Sequence, residues 1–220
     1  MNPTVSILAT PVDVFEQLSA KPNWASTFFV LLCGYAILNW LDGCWHNLSQ
    51  GLEWSSLLGP ALISPLIVGI VSLVTTALIY LLSRIVGGEE ARFTEFRSLY
   101  SVNIHCGLVF LLGEIVNFLL IRTSILGDYT PPLRGRFPVG LDLFLLGVDD
   151  PSLYLSVVLH STSIFLVWYL VVLSLGISTI TGLSRKRSAA IVTVMWCVVV
   201  GMALGAVYAA GGQTTIRIKI

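Results

Sequence analysis

The chain has 220 residues, of which 55% are hydrophobic and 11% charged, with 12 Lys and Arg against 12 Asp and Glu. A soluble domain carries roughly 25% charged residues, so this chain cannot coat a water-facing globule. A mean hydropathy of +0.87 points to lipid as the solvent. That excludes a soluble enzyme, and the zero net charge leaves no footprint for nucleic acid.

The first predicted element is short. Thr10 is placed to cap, Pro11 suits a first helical position, and Asp13 completes a weak capping box. Val12, Phe15 and Leu18 recur at near-helical spacing. The reading is a short N-terminal amphipathic helix. It either lies on the membrane surface or packs on the bundle, with equal weight for the two.

Five apolar stretches follow, at about 24–44, 57–82, 100–121, 153–177 and 188–210. Each is long enough to cross a bilayer, which takes ~20 helical residues. A spanning backbone must satisfy its own hydrogen bonds, so these are helices. The predicted fold is an all-α membrane protein, a five-transmembrane-helix bundle forming one domain over 1–220. Within the long link 122–152, the run 141–146 is too short to span and reads as an interfacial or re-entrant helix capping the outer face.

Orientation follows from Lys and Arg. Lys21, Arg84, Arg92, Arg97, Arg185, Lys186 and Arg187 fall on one side. Arg122, Arg134, Arg136, Arg217 and Lys219 fall on the other, and the first outer link holds no basic residue. The bias places the N-terminus in the cytoplasm and the C-terminus outside. No basic n-region or early apolar run marks a cleaved signal peptide.

Three stretches carry a resemblance to a known family. One runs from Pro11-Val12-Asp13-Val14-Phe15 to Lys21-Pro22-Asn23-Trp24. The second runs from Gly87-Gly88-Glu89-Glu90-Ala91-Arg92-Phe93 through Tyr100. The third runs from Phe165-Leu166-Val167-Trp168 through Leu175-Gly176-Ile177-Ser178 to Gly182-Leu183-Ser184-Arg185-Lys186. In that order and spacing, the chain resembles the Yip1-domain membrane proteins, and most closely the short bacterial type. The resemblance implies a five-span protein with no known enzymatic reaction, acting through membrane or protein partners in a role of membrane organisation or a trafficking-like role. Where the family often carries an Asp just ahead of the Phe of the fourth span, this chain reads Ser163-Ile164-Phe165.

Ionisable groups inside a span are expensive and need a reason. Glu114 and His160 each lie roughly 10–12 Å below the outer surface, at 1.5 Å per residue along spans three and four. Asn117 follows Glu114 by three residues, and Asn39 and Asp42 lie near the outer end of span one. Asn39, Asp42, Glu114, Asn117 and His160 therefore form a candidate polar cluster in the outer half of the bundle. Such a cluster serves an ion, a proton or a lipid headgroup, or it fixes helix order by interhelical hydrogen bonds at ~0.6 kcal/mol each. The second reading is favoured.

Other features point to packing. Gly201, Gly205 and Ala209 form a small-residue stripe on span five that is expected to face another helix, of this chain or of another subunit. Arg185, Lys186 and Arg187 are a candidate contact for anionic lipid, and equally a topology signal. Trp24, Trp45, Trp54, Tyr100 and Tyr154 fit interfacial belts. Cys33, Cys44, Cys106 and Cys197 show no CxxC and read as buried thiols. His105 and His160 fall near opposite ends of their spans and cannot share a haem. No catalytic motif, metal or cofactor is expected.

The sequence therefore predicts a non-enzymatic polytopic protein of a bacterial cytoplasmic membrane. Its partners are the lipid bilayer and other membrane proteins, as a homo- or hetero-oligomer. The alternatives are a small transporter or lipid-handling protein using the polar cluster, and an accessory subunit of a larger complex.

Overall fold

The computed structural model describes residues 6–48, 54–88, 94–122, 140–141, 153–160 and 162–209. Helix α1 spans Pro11–Ala20, with Pro11 in its first turn. Thr10 does not cap it: its Oγ1 donates to the Ser6 carbonyl at 3.4 Å, so the expected capping box is absent. The backbone N–H groups of Ala9 and Thr10 donate to the same carbonyl, and the resulting turn draws Thr10 backwards. Val14, Phe15 and Leu18 are buried, while Val12 is exposed. Of the two readings of this helix, the bundle-packed one holds. Its apolar face lies against the fourth and third spans.

The remaining helices are α2 (Ala25–Leu48), α3 (Trp54–Gly87), α4 (Phe96–Arg122), α5 (Leu153–His160), α6 (Ile164–Thr181) and α7 (Arg185–Ala209). Five of them carry spans, at Ala25–Cys44, Leu62–Gly87, Phe96–Leu120, Ile164–Thr181 and Arg185–Gly205.

The fourth span departs from the sequence reading. The stretch 153–177 is not one helix; it breaks between α5 and α6. The cause is local, in Thr162 and Ser163, whose hydroxyls compete with the helical ladder. Thr162 Oγ1 donates to the Val158 carbonyl at 3.0 Å and closes α5. Ser163 turns extended, and its Oγ accepts from the Leu166 N–H at 3.0 Å, capping α6. The freed backbone is used: Leu141 N–H donates to the Thr162 carbonyl at 2.9 Å, and Gly140 bridges Ser163. The rest of the 141–146 run lies outside the described residues.

Helix α4 is the central element, with 56% of its span window buried, against 11% for α2 and for α3. It packs on α2, α3, α6 and α1, while α7 closes against α6 and α3. Glycines set the closest approaches. A Cβ on Gly107 would lie 3.1 Å from Leu31, and one on Gly34 would lie 2.7 Å from Leu111. Both residue numbers rise together, so α2 and α4 run parallel. Against α6 the order reverses. Val102 meets Gly176, Asn103 meets Tyr169, and a Cβ on Gly113 would lie 2.9 Å from Phe165. Alternating spans therefore run in opposite directions.

The link from α6 to α7 is a built turn. Gly182 adopts φ +74, a left-handed cap that favours glycine, and its N–H donates to the Ser178 carbonyl at 3.0 Å. Ser178 Oγ donates to the Leu183 carbonyl at 2.7 Å, and Leu183 itself is buried.

Candidate functional site

The polar centre of the bundle lies on the inward-facing side of α4, in its first half. The Asn103 side chain joins three helices. Its Nδ2 donates to the Ser72 carbonyl at 3.1 Å and to Thr76 Oγ1 at 3.0 Å, both on α3. Its Oδ1 accepts from the Tyr169 hydroxyl of α6 at 2.8 Å. Tyr169 is held by Phe110, whose ring centroid lies 4.4 Å away. Two residues along α4, His105 joins a further helix. Its Nδ1 lies 2.7 Å from the Ser101 carbonyl, and its Nε2 lies 2.9 Å from Thr27 Oγ1 on α2. A carbonyl only accepts, so Nδ1 carries the hydrogen. In the neutral ring, Nε2 then accepts from the Thr27 hydroxyl.

Beside Asn103 lies a cleft of about 250 Å³. Leu31 and Tyr35 of α2, Val68 and Val71 of α3, and Phe110 of α4 supply its apolar walls. Ser72, Thr75, Asn103 and Tyr169 supply its polar lining.

At one end of α4 the aromatics cluster. Trp24 and Tyr100 meet edge-on at 5.3 Å, and Phe96 stacks on Tyr100 at 6.2 Å. Tyr80 packs on Phe96, and Arg84 donates to the Tyr80 hydroxyl at 2.7 Å. Trp24 and Tyr100 thus tie the start of α2 to α4. Tyr154 is exposed on α5, and the side chains of Trp45 and Trp54 lie outside the described residues.

The five residues of the predicted outer cluster are placed as follows. Asn39 turns its Nδ2 onto the Tyr35 carbonyl of its own helix at 2.8 Å. Asp42 is exposed; Glu114 is half-buried; Asn117 is buried. Asp42, Glu114 and Asn117 each have an interaction partner. His160 is the last residue of α5, beyond the break rather than inside a continuous span, and its side chain lies outside the described residues.

The small-residue stripe differs from expectation within the chain. Gly201 and Gly205 are exposed on α7, and a Cβ on either would meet nothing within 4 Å. Ala209 is exposed as well. Helices α3, α5 and α6 contact α7, yet among the described residues none comes within 4 Å of a Cβ on either glycine. Arg185, Lys186 and Arg187 are exposed in the first turn of α7. All four cysteines are free; Cys106 is buried, whereas Cys197 is exposed and not the buried thiol expected.

Sequence reasoning missed Asn103, Thr27, Ser72, Thr76 and Tyr169. The available signal was an amide and hydroxyls inside spans, with Ser72 and Thr76 one helical turn apart. Ionisable residues drew attention because their cost in lipid is larger.

The Yip1 domain family model matches residues 5–207, nearly the whole chain. No curated protein and no solved structure matches. The matched range takes in α1 and all five spans, including the Asn103 and His105 junctions. With its long apolar helices and that match, the chain is a multi-pass integral membrane protein and belongs to the Yip1-domain family.

Proposed function

We propose that this protein is non-enzymatic and works as a membrane-embedded partner protein, through contacts of its spans with the bilayer and with other membrane proteins. The observation that carries this reading is the unequal burial of the spans. Only 11% of the windows of α2 and of α3 is buried, against 56% for α4. Both spans thus carry exposed apolar side chains, such as Phe29, Ile37 and Trp40 on α2 and Leu62, Leu66 and Ile70 on α3, on which lipid or another protein packs. Polar groups of the central hub are consumed by interhelical bonds, the use that fixes helix order. The site of action is a bacterial cytoplasmic membrane, with the N-terminus inside and the C-terminus outside. Arg185, Lys186 and Arg187 then stand at the cytoplasmic surface, where anionic headgroups attract basic side chains.

In-membrane photo-crosslinking tests this. A photoreactive residue at Leu66, which is exposed on α3, is expected to give a discrete protein adduct in native membranes. A second probe at Leu108, buried on α4, is expected to give none. Labelling of lipid alone at Leu66, and at further exposed positions of α2 and α7, overturns the partner reading.

A further inference from the structure

Proteins in bilayers are solvated by hydrocarbon, so an apolar cleft inside a span has one abundant occupant at its door. The cleft beside Asn103 has a volume of about 250 Å³. Two of its lining residues on α3, Ile67 and Val71, are 53% and 55% exposed. They stand next to Leu66 and Ile70, also exposed, in the span Leu62–Gly87. The mouth is therefore continuous with the lipid-facing surface of α3.

Around Asn103 the polar lining is paired within the protein. Asn103 has its Oδ1 filled by Tyr169 and both hydrogens of Nδ2 directed to Ser72 and Thr76. The Ser72 carbonyl also accepts from Thr76 Oγ1 at 2.7 Å. Water held here would face Leu31, Val68 and Phe110, which offer it nothing. Apolar cavities of about 150 Å³ stay dry and take up apolar guests. An empty cleft would also forfeit the dispersion contacts of its walls. Gly107 contributes depth: a Cβ there would lie 3.1 Å from Leu31, so any larger residue would crowd the α2 wall.

We propose that this cleft binds one acyl chain of a membrane phospholipid, inserted between α2 and α3 towards the Asn103–Tyr169 pair. The headgroup stays outside the cleft, because the polar lining has no spare charge for it. The chain is held by shape and dispersion, not by hydrogen bonds.

The test uses the full-length protein in vesicles of phosphatidylethanolamine and phosphatidylglycerol, with a trace of phospholipid carrying a diazirine near the end of one acyl chain. Illumination followed by peptide mass spectrometry is expected to place adducts on Tyr35, Phe110 or Tyr169, as well as on the outward Leu66. In Val68→Trp, which fills the cleft, the inner adducts are lost and the Leu66 adducts remain. Adducts confined to outward residues in the wild-type protein overturn the proposal, and this outcome needs no variant. Inner adducts that persist in a folded Val68→Trp overturn it too. So does labelling of Tyr35 or Tyr169 by a water-soluble carbene reagent, which would show a hydrated cleft. Because these readouts involve lipid only, they stand or fall separately from the search for a protein partner.

Discussion

The hydroxyl of Tyr169 on α6 donates to Oδ1 of Asn103 on α4 at 2.8 Å, while the amide nitrogen of the same Asn103 reaches α3. One side chain thus clamps three spans. Asn103→Leu removes three interhelical bonds and is expected to cost about 2 kcal/mol, at ~0.6 kcal/mol per bond on average. Tyr169→Phe removes one and costs about 0.6 kcal/mol. A double-mutant cycle read by thermal unfolding in detergent checks both. The double variant should lose less than the sum, because the Tyr169 bond is already gone in Asn103→Leu. Strict additivity would separate the two residues.

The Thr27–His105 contact makes a prediction about tautomer. Nitrogen-15 spectra of labelled protein should show the hydrogen of His105 on Nδ1, towards Ser101, and a bare Nε2. The opposite tautomer contradicts the geometry. Thr27→Val leaves Nε2 without its donor and is expected to cost about 1 kcal/mol. Thr27→Ser restores the hydroxyl and should recover most of it.

Gly176 lies where α6 meets both α4 and α1. A Cβ there would collide with Val102 and approach Phe15 at 3.0 Å. Gly176→Ala is expected to destabilise the bundle by about 1–3 kcal/mol through overpacking. Limited proteolysis should then cut near Lys21 sooner than in the wild type, as α1 leaves its seat. Phe15→Ala in the same background should relieve part of the loss.

Gly205 gives the contrasting case. Nothing lies within 4 Å of a Cβ at this position, so Gly205→Ile should leave the unfolding of the isolated chain within about 0.5 kcal/mol. Any association through this face should be lost, as read by crosslinking in native membranes at neighbouring Met202. A large drop in monomer stability would mean that the glycine packs within the chain after all.

Orientation is checked by cysteine labelling in a variant lacking the native thiols. Lys186→Cys should react only from the cytoplasmic side and Arg134→Cys only from outside. The reverse at both positions inverts the protein in its membrane.

Much of this was legible in the sequence, and the reasons are physical. The number and order of spans are written in long apolar runs, because lipid tolerates nothing else. The break after His160 was not legible, since Thr162 and Ser163 barely lower hydropathy yet can close one helix and cap the next. The docking of α1 was half legible. Phe15 and Leu18 read correctly as its buried face, but Val14 replaces Val12 there because the helix meets α6 and α4 along that side. The Asn103 junction escaped because an amide is inconspicuous beside Glu114, although both must find partners in hydrocarbon. The exposed Gly201 and Gly205 show that a stripe of small residues can be read from spacing, whereas what it faces cannot.

The clamp at Asn103 also sets a schedule for biosynthesis. Its partner Thr76 precedes it by 27 residues and is already made when Asn103 emerges. Its partner Tyr169 follows by 66 residues. At about 5–20 residues per second, the ribosome needs roughly 3–13 seconds to supply the hydroxyl that fills Oδ1. During that interval the amide oxygen of the third span has no donor from the fourth. Until α6 arrives, Asn103 can be held only through α3, so the clamp closes in two steps, the second after the fourth span has been made.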